Sequence, residues 1–325
     1  MRWDSGKSGS NIADILVPLV REIEPPCEVL SLSGFGIGAD NSLIAKWGPS
    51  GFVKNRRSQE CAIPSGSVIS VHKVCGTIEL VNIDSSLDRF AGIQPLPRHE
   101  YLLYGAVLNS GRFECNAAII DADGNVRRTG YLGPGINEVR TTPSGRIIVA
   151  YGDEGILGGV GEWGPVGGTG ISEFDENFRQ VWAYPCGGRV DRIIDCYALN
   201  IVGEDVWAYG YDTFDIVKIK NGEVETLSND LIEGASDILI SGTTIALAGG
   251  YDESADKLSI YSVEDGSIRQ VDERFLVFEG LEVAGGVGRP AQGAWNFSFA
   301  NGSVLNRLTL DGRWYQFNMV EFRDL

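Results

Sequence analysis

Five short turns recur down this chain at nearly even spacing, and they constrain its fold more than any other feature. Asp123-Gly124, Glu176-Asn177, Asn221-Gly222, Asp265-Gly266 and Asp311-Gly312 each separate two short apolar runs. Counted at the second residue of each pair, the intervals are 53, 45, 44 and 46 residues. Asp-Gly and Asn-Gly pairs accept the positive φ of a two-residue hairpin loop, so each marks a strand–turn–strand corner. Such a corner returning at this interval predicts an all-β chain: a single β-propeller of four-stranded antiparallel blades, one corner per blade.

The strands can be read between the corners. In a propeller each blade runs from strand a, innermost, to strand d, outermost, and d leads to the a of the next blade. Residues 136–142, 146–152, 171–175 and 180–185 fit this order, with Pro143-Ser144-Gly145 turning a into b. Residues 93–96, 101–107, 115–121 and 126–131 form the blade before it. Three more follow: 195–202, 206–211, 215–220 and 224–227; then 235–240, 244–251, 257–263 and 268–271; then 279–285, 294–299, 304–310 and 314–320. The first ninety residues are less regular. Read as 12–20, 27–33, 42–47 and 52–56, then 58–63, 67–74, 77–83 and a short strand from Leu87, they supply two blades and a total of seven. If they hold only one complete blade, the total is six; seven is the expectation. Runs such as Ile147-Ile148-Val149-Ala150-Tyr151 are apolar and β-branched, as strands covered on both faces require. Trp182, Trp207, Trp295 and Trp314 fall in strands, where packing between blades is the plain expectation.

Charge narrows the partners. The 325 residues carry 27 basic and 44 acidic side chains, a net −17. That balance repels phosphate backbones and anionic lipid, which argues against a nucleic-acid or membrane partner. Solubility alone accounts for it; a basic partner or a cation is the sharper reading. No apolar run approaches the roughly 18 residues of a membrane-spanning helix. Residues 1–10 lack the apolar centre of a signal peptide and read as a disordered lead to one domain over 11–325. The six cysteines show no C-x-x-C spacing and several sit in apolar runs, which fits a reduced, cytoplasmic protein.

Strand alternation assigns the two faces of the propeller. The a–b and c–d turns lie on one face, the b–c and d–a connections on the other. The tight turns fall on the first face and the longest loop, 153–170, on the second. That loop exceeds its counterparts by about a dozen residues, a length that is often functional. It holds eight glycines and Trp163, which either anchors a ligand or plugs the channel. Within it, Gly159-Val160-Gly161-Glu162-Trp163-Gly164 matches G-x-G-x-x-G, but a strand follows where dinucleotide binding needs a helix. Three b–c corners on this face share one pattern: Tyr151-Gly152-Asp153, Gly210-Tyr211-Asp212 and Gly250-Tyr251-Asp252. Each aspartate either accepts from its own turn's amides or joins a ring of acids around the mouth. Asp153, Glu154, Trp163, Asp212 and Asp252, with Asp191 and Arg192 from a d–a connection, are the candidate binding residues. Glu138, Asp153 and Asp195 are the candidate metal ligands, for calcium or magnesium, since the ligands would all be oxygen. Histidine is scarce: His72 lies in a strand and His99 in an a–b turn on the other face. A Ser-His-Asp triad or a His-rich zinc site at the long-loop mouth is therefore excluded.

Thr142-Pro143-Ser144-Gly145 with Tyr151-Gly152-Asp153-Glu154-Gly155, then Ile194-Asp195-Cys196-Tyr197-Ala198-Leu199-Asn200, then Gly312-Arg313-Trp314-Tyr315 resemble stretches of a bacterial, largely actinobacterial, family of propeller-like proteins of unassigned function. Trp163-Gly164-Pro165 is similar to that family's Gly/Pro-rich insert. The resemblance covers roughly residues 91–316; it implies the fold and brings no catalytic residues. Two functions follow as expectations. The first is a non-enzymatic cytoplasmic module that binds or scaffolds a protein partner through its long-loop face, with toxin neutralisation as one such role. The alternative is a lactonase-like hydrolase with an oxygen-ligated divalent cation at the channel mouth.

Overall fold

Each strand run between the recurring corners pairs antiparallel with the next, and among the described residues the result is six sheets around one axis. The computed structural model describes residues 14–28, 30–49, 66–105, 115–157, 166–185, 193–211, 213–228, 232–251, 254, 256–281, 295–309 and 311–322. The chain enters on two short strands, β1 (Asp14–Val17) and β2 (Leu19–Glu22), split at Pro18. Proline has no N–H to continue a ladder, so the two halves join different sheets. Blade 1 is β3 (Leu30–Ile37), β4 (Leu43–Pro49), β5 (Val68–His72) and β6 (Ile78–Asn82). Blade 2 is β7 (Gly92–Leu96), β8 (Glu100–Tyr104), β9 (Ala117–Ile120) and β10 (Val126–Gly130). Blade 3 is β11 (Ile136–Thr141), β12 (Ile147–Tyr151), β13 (Ile171–Phe174) and β14 (Gln180–Ala183). Blade 4 is β15 (Asp195–Val202), β16 (Asp205–Tyr211), β17 (Ile216–Lys220) and β18 (Glu223–Leu227). Blade 5 is β19 (Ala235–Ser241), β20 (Thr244–Gly249), β21 (Lys257–Glu264) and β22 (Ser267–Phe278). Blade 6 has β23 (Trp295–Asn301), β24 (Val304–Thr309) and β25 (Arg313–Asn318) from the C-terminal end.

The missing outer strand of blade 6 is β2, which pairs antiparallel with β25 (Leu19↔Tyr315, Glu22↔Arg313). β1 adds a parallel fifth strand to blade 5 against β22 (Asp14↔Phe275 to Val17↔Phe278). The two ends of the chain thus close the ring together, and an unpaired sheet edge is covered on each blade they touch.

Six blades correct the expected seven. The N-terminal run read as an innermost strand is edge strand instead, and the described residues of 27–83 form one blade; the strands expected at 52–56 and 58–63 lie outside the described residues. The same displacement moves two turns. Asp311-Gly312 joins β24 to β25 and is therefore a b–c corner on the long-loop face, while Gly302-Ser303 is the a–b turn of blade 6. In blades 2 to 5 the strand order follows the sequence reading.

The inner strands β3, β7, β11, β15, β19 and β23 touch in cyclic order and enclose the channel. Between β3 and β7 the approach is so close that a Cβ on Gly34 would collide with the Ala91 carbonyl, which leaves glycine as the residue that fits. The apolar core is divided among the six seams between consecutive blades. Middle strands supply most of it: Ile147–Tyr151 is buried throughout, each large aliphatic side chain contributing about 1.5–3 kcal/mol. Trp207 and Trp314 pack in seams as expected, and Trp314 donates its Nε1 proton to Asn306 Oδ1 at 3.1 Å. Of the described cysteines, Cys196 is buried in β15, whereas Cys75 and Cys115 are exposed. Among the described residues no helix is long and apolar enough to cross a membrane.

Candidate functional site

On the long-loop side, strand ends and short loops bring four aromatic rings together. β15 places Tyr197 near its start, β16 ends on Tyr211, and the b–c loops of blades 4 and 5 add Phe214 and Tyr251. Tyr197 stacks on Tyr211 with centroids 6.2 Å apart and planes 22° apart. Tyr251 meets Tyr197 edge-on at 6.4 Å, and their hydroxyls lie 3.0 Å apart. Phe214 is buried and touches all three tyrosines, nearest Tyr211 at 5.6 Å. Gly234 makes room for the Tyr251 ring; a Cβ there would come within 2.6 Å of it. Tyr211 is 42% exposed and Tyr251 45% exposed, so the cluster has a dry base and an open top. Burial holds the Tyr197 phenol well above its ordinary pKa, and the ring stays neutral.

Carboxylates flank the rings. Asp195, the first residue of β15, accepts from Asn137 Nδ2 at 3.3 Å and lies over Gly152. Burial and the nearby Asp153 charge push its carboxyl upward. Asp153 and Glu154 are exposed and open a one-turn helix, α1 (Asp153–Leu157); Asp153 Oδ1 accepts the Glu154 amide at 2.7 Å. The local-turn reading of that aspartate therefore holds for one of its oxygens. Trp163, Asp191, Arg192, Asp212 and Asp252 lie outside the described residues.

Below this mouth the channel is filled with charge. Glu138 meets Arg140 at 2.6 Å, and the Arg140 guanidinium reaches across from blade 3 to lie 4.1 Å over the Phe299 ring of blade 6. Phe299 in turn stacks on Phe35 of blade 1 at 5.0 Å. Arg140 Nε donates to Leu199 O at 3.3 Å. Glu138 is walled in by the channel, and burial pushes its carboxyl up to about 7 despite the opposing Arg140 charge. Alongside, Asp237 accepts from Ser236 and Ser298 hydroxyls at 3.0 and 2.6 Å, and its carboxyl is also pushed up by burial. Arg307 donates to Ser298 at 3.3 Å and pairs with buried Asp256 at 2.7 Å. Of the three candidate metal ligands, Asp153 and Asp195 are thus neighbours at the mouth, while Glu138 sits within the channel on Arg140. Among the described residues no three His, Cys, Asp or Glu side chains are grouped to hold a metal ion.

The tight-turn side differs. There the channel opens into a cavity of about 730 Å³, walled by the a–b turns of blades 1, 2, 3, 4 and 6. Arg140 and Gln94 line it together with apolar side chains, among them Leu96, Ile201 and Val304. Gln94 is 2% exposed; its Nε2 has no hydrogen-bond partner, its approach to the Tyr104 hydroxyl falling short of bonding geometry. The turn at blade 2 is unusual. The a–b turns of blades 4, 5 and 6 place Gly203, Gly242 and Gly302 in the left-handed region, where glycine is unstrained. Blade 2 puts Arg98 (φ 64°) and His99 (φ 58°) there consecutively, at roughly 1–2 kcal/mol per residue. Both side chains border the cavity, and Arg98 pairs with Glu176 of blade 3 at 2.8 Å.

No family model matches this sequence, and no curated protein matches it. Solved structures similar in fold include virginiamycin B lyase from Staphylococcus aureus, in a catalytically inactive form with quinupristin. The two share 10% identity and a TM-score of 0.49 over 92% of this chain and 88% of that one. A gluconolactonase from Xanthomonas campestris shares 10% identity and a TM-score of 0.43 over 92% of this chain and 98% of that one. A chain of the mitotic checkpoint complex shares 10% identity and a TM-score of 0.48 over 98% and 97%. These likenesses carry nothing about chemistry.

Sequence reasoning placed His99 on the tight-turn face and the Asp153–Asp195 region on the other, and the structure agrees. It passed over the aromatic cluster, although the signal stood in the same triplets. Tyr211 and Tyr251 precede the aspartates that drew attention, and they point outward where Tyr151 of the third triplet is fully buried. The cavity carried no comparable signal. Arg98-His99 in a two-residue turn, where Asn-Gly or Gly is normal, was the one local anomaly that could have marked it.

Proposed function

We propose that this chain is a non-enzymatic binding module whose long-loop face takes a cationic segment of a protein partner. One observation carries the reading: two half-exposed tyrosines on a buried aromatic base, with carboxylates at their side. A lysine or arginine over such rings gains cation–π attraction as well as charge pairing with Asp153, Glu154 and Asp195. The net charge of −17 would steer a basic partner toward any face, and the rings would select this one. A cytoplasmic scaffold or a neutraliser of a basic protein fits this chemistry.

Calorimetric titration with a tetra-arginine peptide tests it. Saturable binding should weaken with added salt and should largely vanish in the Tyr211→Ala/Tyr251→Ala variant. A peptide that binds both proteins alike would refute the assignment. The alternative, a hydrolase with a divalent cation, draws on one fact: Asp153 and Asp195 repel each other, and a cation between them would relieve the repulsion. Its test is calcium or magnesium titration followed by thermal melting, where a bound ion raises the midpoint by mass action.

A further inference from the structure

We propose that the tight-turn mouth of the channel is a second, separate ligand site, and that it takes a small organic anion, a carboxylate or phosphate on an apolar body. The cavity of about 730 Å³ is of the size that encloses a small molecule. Its walls are apolar at Leu96, Ile201 and Val304, and Arg140 and Gln94 are among its polar groups. Arg140 is held flat on Phe299 and spends Nε on Leu199 and Nη2 on Glu138, which lies outside the cavity lining. Arg140 itself is among the residues that line the cavity. Gln94 Nε2 is a buried donor without an acceptor, and a ligand oxygen is the acceptor that its position lacks.

Cations offset most of the acidic charge at the rim. Glu79 is paired with Lys73, Glu100 stands 3.7 Å from Arg98, and Asp40 accepts the Ser42 amide at 3.0 Å. Lys73 and Arg98 thus face three carboxylates at the rim, and the further cation of the lining is Arg140. The strained Arg98-His99 turn is a second, independent pointer. Blades 4, 5 and 6 turn a into b on one left-handed glycine without strain, whereas blade 2 keeps two strained side chains at this rim, which points to a role other than stability.

The test uses two probes, phenylacetate and phenyl phosphate, titrated separately into the intact protein by calorimetry; the carboxylate and phosphate arms distinguish the two ligand sources. At least one should bind saturably at a single site. Arg140→Gln should weaken it about tenfold or more, as loss of a charge-assisted hydrogen bond implies. Because Arg140 is buried, the exposed Arg98→Asn/His99→Gly variant provides a check that does not depend on its folding. It should bind several-fold more weakly while melting at a higher temperature. Tyr211→Ala/Tyr251→Ala should leave both probes unaffected, which separates this site from the long-loop face. Absence of saturable binding by either probe at millimolar concentration, or binding unchanged in both cavity variants, would overturn the proposal.

Discussion

The two mouths of one channel are built from opposite materials. Among the described residues the long-loop mouth is aromatic, with carboxylates beside half-exposed rings; the tight-turn mouth is hollow, with an arginine and an unpartnered amide in its lining. Between them the Glu138–Arg140 pair and the Phe299–Phe35 stack occupy the channel, and the Asp237–Ser298–Arg307–Asp256 chain leads from the inner strands into the seam between blades 5 and 6. The difference follows from connectivity. The b–c and d–a connections meet on one face; the a–b turns, with 38–42 and 142–146 the longest, meet on the other and leave a space between them. One fold therefore presents exposed rings on one face and a hollow on the other.

The largest expected effect comes from the buried ion pair that ties blade 5 to blade 6. Arg307→Ala removes the guanidinium that pairs with buried Asp256, and should cost about 3–5 kcal/mol in urea unfolding. A loss under about 1 kcal/mol would show that the pair is not structural. Next comes Tyr211→Ala/Tyr251→Ala, which should reduce affinity for a cationic peptide roughly ten- to a hundredfold, about 1.4–2.7 kcal/mol, and leave the melting midpoint nearly unchanged. Equal loss of stability and binding would mean that the rings serve packing alone.

Glu138 sharpens the contrast through pH. Its folded pKa, about 7, stands above the ordinary 4.5, so between these values the folded state holds a proton that the unfolded state has released. Its contribution to stability is therefore full below about 4.5 and is lost as pH rises to about 7. Buried His72 acts oppositely: its pKa is lowered to about 4 from 6.5 by burial, with the Arg21 charge adding to it, so its share falls as pH drops below 6.5. Glu138→Gln should remove the first slope and leave the second, as measured by unfolding free energy across pH 4 to 8; an unaltered profile would contradict the burial of the carboxyl. The smallest effect belongs to Arg98→Asn/His99→Gly. Relief of left-handed strain should raise stability by about 1 kcal/mol, a few degrees in the melting midpoint. A lower midpoint would show that the turn is not strained.

Much of the fold was legible because glycine and asparagine corners report backbone geometry directly, and blades 2 to 5 were read strand by strand from them. What misled was the N-terminal quarter. Ile15, Leu16 and Val17 look like any buried strand, and nothing local shows that β1 and β2 pair with segments some three hundred residues away; ring closure is a long-range fact. The site was legible only in part, for the same reason. Asp153 and Asp195 could be placed on one face by strand alternation, but whether Tyr211 turns outward and Tyr151 inward depends on the neighbouring blade. Glu138 looked like a mouth carboxylate because its partner Arg140, two residues on, gives no sign in sequence that it will cross the channel.

Hydrogen–deuterium exchange with and without tetra-arginine tests the central reading most directly, because it reports which mouth is occupied. The account predicts slowed exchange in segments 193–197 and 209–211, with segments 38–42 and 97–99 unchanged. Protection confined to the latter two segments, or at neither mouth, would contradict it.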